Sequence, residues 1–93
     1  MGFHRSLEMS VSREEFFRLL PAAVGPFAGD GDTIRGRHEH RAWVIRLVPL
    51  ADCRVGSLVV PRHRVDIVID DCAEEEAEAF MSRFRRGFLH GGG

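Results

Sequence analysis

The chain has 93 residues, of which 44% are hydrophobic, and its formal net charge at neutral pH is −1. This length and composition fit one folded domain rather than a disordered chain. A net charge so close to zero argues against nucleic acid as a partner. No apolar run approaches the roughly 20 residues that a membrane-spanning helix needs, so we expect no membrane partner.

Residues 3–11 alternate between apolar and polar side chains, and this alternation predicts a half-buried strand. Ser12 and Glu15 follow at the spacing of a capping box, which predicts a helix that begins at Arg13. Pro21 should end or kink this helix, because proline removes a backbone hydrogen bond and disfavours helical backbone at the preceding residue.

Four further segments have the composition or alternation of strands: residues 33–38, 41–48, 54–60 and 64–69. Gly, Pro and Asp mark the connections between them. We therefore expect a loop in PFAGDGD (26–32) and turns near Glu39-His40, within PLADC (49–53) and at Pro61-Arg62.

A second helix is predicted near the end of the chain, with Asp71 as its N-cap and Glu74 at capping-box spacing. Acidic residues fill its first turns and arginines its last turn, as the helix dipole favours. Gly87 could end the helix, or the helix could run on to His90. Its apolar residues recur at helical spacing: Ala73, Ala77, Phe80, Met81, Phe84 and Phe88.

These elements predict an α+β fold: a single antiparallel five-stranded sheet with two helices on one face, in the order β-α-β-β-β-β-α. Residues 1–90 would form one domain and residues 91–93 a flexible glycine tail. We expect eight apolar residues to be buried together between the sheet and the helices: Trp43, Ile45, Leu47, Val65, Ile67, Phe80, Met81 and Phe84.

Two helices can cover only one face of such a sheet, and the other face should carry the alternate set of side chains. That set is mostly apolar: Ala42, Val44, Arg46, Val48 and Val68. A patch of this kind is large for a monomer. Because a two-fold axis is the commonest way to bury one, we predict a homodimer through the helix-free face.

All thirteen basic residues are arginine, and several cluster with histidines in the middle of the chain. If the two turns that carry them point the same way, they form one cationic rim for an anionic ligand or an acidic partner surface. The alternative is a set of solvated charges that protects strand edges. The candidate binding residues are Arg35, Arg37, His38, His40, Arg41, Arg62, His63 and Arg64.

Neither an enzyme nor a metal site is indicated by the sequence. It has no nucleophile elbow, phosphate-binding glycine loop, zinc-protease motif or dinucleotide fingerprint. His38 and His40 could share a metal, but their spacing with His63 and Cys53 matches no ligand pattern. Cys72 is crowded by acidic residues, which oppose thiolate formation. We therefore expect no catalytic residue, no metal and no cofactor.

The two cysteines form no C-x-x-C motif, and the polar start MGFHRSLEMS does not resemble a secretion signal. Reduced thiols in the cytoplasm are then the expected state. Together these features predict a small cytoplasmic binding domain of non-enzymatic function. The alternative is a carrier protein or small enzyme subunit that uses Gly91-Gly92-Gly93, a tail similar to that of ubiquitin-like sulfur carriers.

Overall fold

A computed structural model describes residues 2–29, 31–38 and 41–91, the last three of these by their backbone alone. The predicted α+β fold is confirmed, with five strands and two helices in the predicted order. The elements are β1 (Phe3–Met9), α1 (Arg13–Val24), β2 (Phe27–Ala28), β3 (Thr33–His38), β4 (Arg41–Val55), β5 (Leu58–Ile69) and α2 (Glu74–Gly91).

The five strands form one sheet in the order β1-β5-β4-β3-β2, and all neighbours are antiparallel. Paired residues form rows across the sheet whose side chains share a face. One row places Trp43 between Ile69 and Gly36, and the next places Ile45 between Ile67 and Ile34. These rows face the helices and supply the floor of the core.

The predicted core is confirmed, because each of its eight residues is at most 3% exposed. Both helices contribute to the same apolar cluster, so both cover the same face of the sheet. The ring of Phe16 on α1 stacks on that of Phe88 on α2, with 5.2 Å between the ring centroids. Burial of this cluster is the main contribution to stability.

The two helices cross at Gly87. A Cβ atom at this position would lie 2.6 Å from Cα of Ala23, a distance that real side chains do not adopt. Gly87 therefore does not end α2, which continues to Gly91. Its role is to let the backbones of the two helices approach closely.

The helix ends follow the sequence signals only in part. Ser12 caps α1 as predicted, and its Oγ accepts a hydrogen bond from the N–H of Glu15 (3.1 Å). Of the two outcomes expected for Pro21, an end of the helix is wrong, because α1 continues past it to Val24. Asp71 is not the N-cap of α2: it lies in a turn with φ of 47°, and α2 begins at Glu74.

Two of the predicted turns are wrong, because β4 runs through residues 49–53 and β5 runs through Pro61 and Arg62. Pro49 lies beyond the last pair of β3, and Pro61 lies beyond the last pair of β1. Each proline therefore sits where one edge of its strand is unpaired, so its missing N–H need not interrupt the sheet. The predicted loop 26–32 contains the short strand β2.

The predicted strand 54–60 is also wrong, because it contains the real turn between β4 and β5 at Gly56-Ser57, where Gly56 has φ of 62°. Residues 50–62, here called the β4–β5 arm, extend past the ends of β1 and β3 as a two-stranded ribbon. The molecule is accordingly elongated, with extents of 45 × 23 × 22 Å. Near its tip the arm exposes Val55 (61%), Leu58 (66%) and Val59 (52%).

Candidate binding surface on the helix-free face

The structure divides the predicted cationic rim into separate groups. His40 lies outside the described residues. Arg41 is the first residue of β4. Arg62 on β5 pairs with Leu50, which lies nine residues after Arg41 on β4. At about 3.3 Å per residue the two groups are roughly 30 Å apart. They lie toward opposite ends of the sheet and do not form one continuous rim.

Arg41 is occupied by an ion pair with Glu76. It donates from Nε to Oε2 (2.8 Å) and from Nη2 to Oε1 (2.6 Å), in the two-bonded geometry that guanidinium favours. The hydrogen bond from Arg41 holds the pKa of the Glu76 carboxyl below its usual value and raises the pKa of Arg41. This pair joins the start of β4 to the first turn of α2.

His38 and His63 are not close to one another. The ring of His38 meets that of Phe80 edge-on, with 5.9 Å between centroids. The Nδ1 of His63 donates to the carbonyl oxygen of Val11 (2.8 Å). Within the part of the chain that the structure describes, no three His, Cys, Asp or Glu residues lie close enough together to hold a metal ion.

The arginines of β5 are also paired with acids. Arg62 donates to Glu8 on β1, and Nη2 of Arg64 lies 3.2 Å from Oδ2 of Asp66. Asp66 accepts a further hydrogen bond from the Ser6 hydroxyl (2.5 Å), which lowers the pKa of its carboxyl, and Arg64 lowers it further. These charges are largely neutralised by their neighbours.

Arg35 and Arg37 differ from the other rim residues. Both are exposed on β3, and neither has an acidic partner among the residues that the structure describes. They border an open, mainly apolar groove of about 450 Å³ whose lining includes Ala42 and Val44. Arg35 also borders a second hollow of about 270 Å³ beside Gly29.

Arg46 belongs to the same surface, although it was not among the binding residues predicted from the sequence. It pairs in register with Thr33 on one side and Asp66 on the other. Asp66 is bonded to Ser6 and Arg64, and Arg46 has no salt bridge to any described residue. The register that follows a two-residue turn at 39–40 sets Val44 opposite Arg35 and Arg46 opposite Thr33. The position of Arg46 near Arg35 could therefore have been derived from the sequence.

Apolar side chains occupy two areas of this face on β4 and β5, and the row of Arg46 and Asp66 separates them. The side chains expected on the helix-free face do lie there, with Val68 37% exposed and Val44 and Val48 half-buried. The second area, which begins at Val48, extends onto the β4–β5 arm, where Cys53 pairs with Val60 and Val55 with Leu58. The helix-free face thus has two apolar areas, separated by the polar row of Arg46 and Asp66. Beside them lie guanidinium groups that have no acidic partner among the described residues.

A different hollow, of about 430 Å³, lies beside Cys72 at the start of α2. Burial raises the pKa of the Cys72 thiol, and the negative charge of Glu76 raises it further. Its Sγ donates a hydrogen bond to the carbonyl of Ala73 (3.3 Å). These effects oppose thiolate formation, so the hollow lacks an activated nucleophile.

Comparison of the chain with protein-family models, with curated proteins and with solved structures finds no significant match. Among the described residues, no helix has both the length and the apolar character needed to cross a membrane. Any statement of function therefore depends on the geometry of the chain itself.

Proposed function

We propose that the chain is a small, non-enzymatic binding domain whose helix-free face takes the acidic surface of a partner protein. The observation that carries this proposal is a set of cations without an acidic partner among the described residues, namely Arg35, Arg37 and Arg46, next to exposed apolar side chains. Guanidinium groups bind carboxylates through paired hydrogen bonds, and arginine is enriched at protein interfaces. A guanidinium group that is not bonded to a carboxylate of its own chain can form these hydrogen bonds with a carboxylate of a partner.

The shape of the surface favours a protein over a small anion. The groove beside Arg35 and Arg37 is open, and a second apolar area lies further along the same face on the β4–β5 arm, beyond the row of Arg46 and Asp66. A small anion would use the arginines alone, whereas an extended partner would also bury Val44 and Leu58. Exposed apolar surface rimmed by polar groups is typical of protein-binding sites.

Nucleic acid fits the same face less well. Single-stranded nucleic acid is usually bound by aromatic side chains that stack on the bases. The groove beside Arg35 and Arg37 is lined in part by Phe27 and Trp43, but Trp43 is fully buried and Phe27 is half-buried. The other aligned rows of this face contain no Phe or Trp among the described residues. The formal net charge of −1 also gives no overall attraction to a polyanion.

A second copy of the chain is the other candidate for this face, as the homodimer prediction requires. Val44, Val48 and Val68 provide apolar area for it. Stacking two copies about a two-fold axis would, however, bring the unpaired cations of both copies onto one interface, with Arg46 near its centre. Like charges in a buried interface are costly, and we therefore favour an acidic partner of a different kind.

The cellular compartment and the alternative function also remain proposals. Both cysteines are free thiols, which fits a reducing compartment such as the cytoplasm. For the alternative carrier function, α2 reaches Gly91, and Gly92 and Gly93 lie outside the described residues. No contact among the described residues favours the carrier over the binding domain.

The proposal can be tested with a fluorescein-labelled peptide of Glu and Leu residues, measured by fluorescence anisotropy. A matched peptide with Lys in place of Glu gives the baseline. We expect the Arg35→Ala/Arg37→Ala variant to bind the acidic peptide at least about tenfold more weakly, because two charge-assisted contacts are lost. The fluorescence of the single Trp43 and circular dichroism would report whether the variant is folded.

The control is Arg83→Ala/Arg86→Ala, which removes the same charge from exposed positions on α2. We expect this variant to bind within about twofold of the parent, apart from a small screened effect of net charge. Equal losses in both variants would mean that the peptide senses only net charge, and the assignment of the helix-free face would be wrong.

A further inference from the structure

The outer edge of β1 is the longer free edge of the sheet. β1 pairs only with β5, and the register runs unbroken through all seven residues from Phe3 to Met9. The opposite edge, β2, has only two residues, follows Pro26, and is followed by Gly29 with φ of 104°. An unpaired strand edge is a template for a further strand, and β1 has neither a proline nor a bulge to prevent pairing.

The sequence of β1, FHRSLEM, is complementary to itself when it pairs antiparallel with a copy centred on Ser6. His4 then lies opposite Glu8 of the second copy, whose carboxylate accepts from Arg62 of its own chain and has room for a second hydrogen bond from the imidazole. On the helix-facing side, Phe3 lies opposite Met9 of the second copy. Favourable cross-strand pairs of this kind are the unit of sheet stabilisation.

An apolar groove of about 320 Å³ lies between β1 and α2, next to this edge. Leu7, Met9, Phe84 and Phe88 contribute to its lining, and Leu7 and Met9 remain partly exposed. In the register centred on Ser6, Phe3 of the second copy lies beside Met9 and so reaches this groove. Pairing would therefore bury apolar surface as well as satisfy backbone groups.

One charged residue on β1 points toward the helices and could oppose pairing. Arg5 is such a residue, and inward-facing charges do protect edges in other sheets. Here, Nη2 of Arg5 lies 3.1 Å from Oε1 of Glu78 on α2, and its guanidinium lies 5.1 Å from the ring of Phe3. Arg5 therefore has partners within its own chain, and it can keep them when a second strand pairs with β1.

We propose that two copies of the chain associate through antiparallel pairing of their β1 strands, with Ser6 at the two-fold axis, to form one continuous ten-stranded sheet. A second copy is the occupant because the complementarity is internal to β1 itself, and closed two-fold pairs are the commonest oligomers. This arrangement moves the predicted homodimer from the helix-free face to the edge. It leaves the helix-free faces of both copies open to other partners.

The register can be tested by cross-linking in a Cys53→Ser/Cys72→Ala background. Ser6→Cys places the two introduced thiols directly opposite each other across the axis, at a separation that a disulfide can span. His4→Cys is the matched control, since position 4 lies about 13 Å from its own copy, four residues along the strand. We expect mild oxidation to give a covalent dimer with Ser6→Cys and none with His4→Cys.

A mixture supplies a second readout that does not depend on Ser6. His4→Cys and Glu8→Cys chains mixed in equal amounts should cross-link to each other, because positions 4 and 8 lie opposite in the proposed register. Sedimentation of the unmodified chain at tens of micromolar should show a dimer. A monomer there, or cross-linking of His4→Cys alone as strong as that of Ser6→Cys, would overturn the proposal.

Discussion

Gly36 lies directly against the indole of Trp43: a Cβ atom at position 36 would be 2.2 Å from Cζ2 of that ring. The two residues are paired across β3 and β4, so the missing side chain of one makes room for the largest side chain of the core. We expect Gly36→Ala to lower the free energy of unfolding by roughly 1–3 kcal/mol, because the buried ring must shift. Urea unfolding followed by circular dichroism measures this.

Gly31→Ala is the matched control, since a Cβ there would have no neighbour within 4 Å. Its effect should stay below about 1 kcal/mol, and a small stabilisation is allowed because alanine restricts the unfolded chain. Equal stabilities of the two variants would contradict the close contact between Gly36 and Trp43.

The ion pair between Arg41 and Glu76 predicts a specific pH dependence. The pKa of Glu76 in the folded protein lies below its ordinary value of 4.5. Its carboxylate therefore stabilises the fold above pH 4.5, and this contribution is lost as the pH falls through the folded-state value. Glu76→Gln should lower the melting temperature at pH 7, and the difference from wild type should shrink toward pH 3.

Glu75→Gln, on the exposed side of the same helical turn, is the control for this titration. Its melting temperature should follow that of the wild type across the whole pH range. A constant difference between wild type and Glu76→Gln from pH 7 to pH 3 would show that the lost contact is not ionic.

Phe84 anchors α2 to the sheet and is 1% exposed. Its ring centroid lies 4.8 Å from that of Phe88, within the cluster that both helices share. Phe84→Ala should lower the free energy of unfolding by roughly 3–5 kcal/mol, as expected for an aromatic truncation in a core. Arg85→Ala, one position along on the exposed side, should change it by less than about 0.5 kcal/mol. A loss below about 1 kcal/mol for Phe84→Ala would contradict the packing of α2.

The fold could be predicted because its signals are local and periodic. Alternation assigned Trp43, Ile45 and Ile67 to the buried face, and helical spacing assigned Phe80 and Phe84 to the core. The lengths of β4 and β5 could not be predicted in the same way. Prolines at 49 and 61 normally mark turns, and they are accommodated here because β1 and β3 end before reaching them.

The proposed binding surface was harder to derive from the sequence, because a cation is available only if no acid in the fold occupies it. Arg41 is paired with Glu76, 35 residues away, and Arg62 with Glu8, 54 residues away. Such pairs depend on how the strands and helices meet, and residue spacing does not reveal them. Arg35 and Arg37 were among the residues identified from the sequence. That they lack an acidic partner among the described residues, unlike Arg41 and Arg62, follows only from the tertiary structure.

The two cysteines should react at clearly different rates. Cys53 is exposed on the β4–β5 arm, whereas Cys72 is partly buried at the start of α2. Burial and the charge of Glu76 raise the pKa of Cys72, so less of it is thiolate at neutral pH. Iodoacetamide at pH 7.5, followed by digestion and mass spectrometry, should modify Cys53 first and Cys72 several-fold more slowly. Glu76→Gln should speed the modification of Cys72 and leave Cys53 unchanged. Faster modification of Cys72 than of Cys53 in the folded protein would contradict the position of the arm in solvent and the burial of Cys72 beside α2.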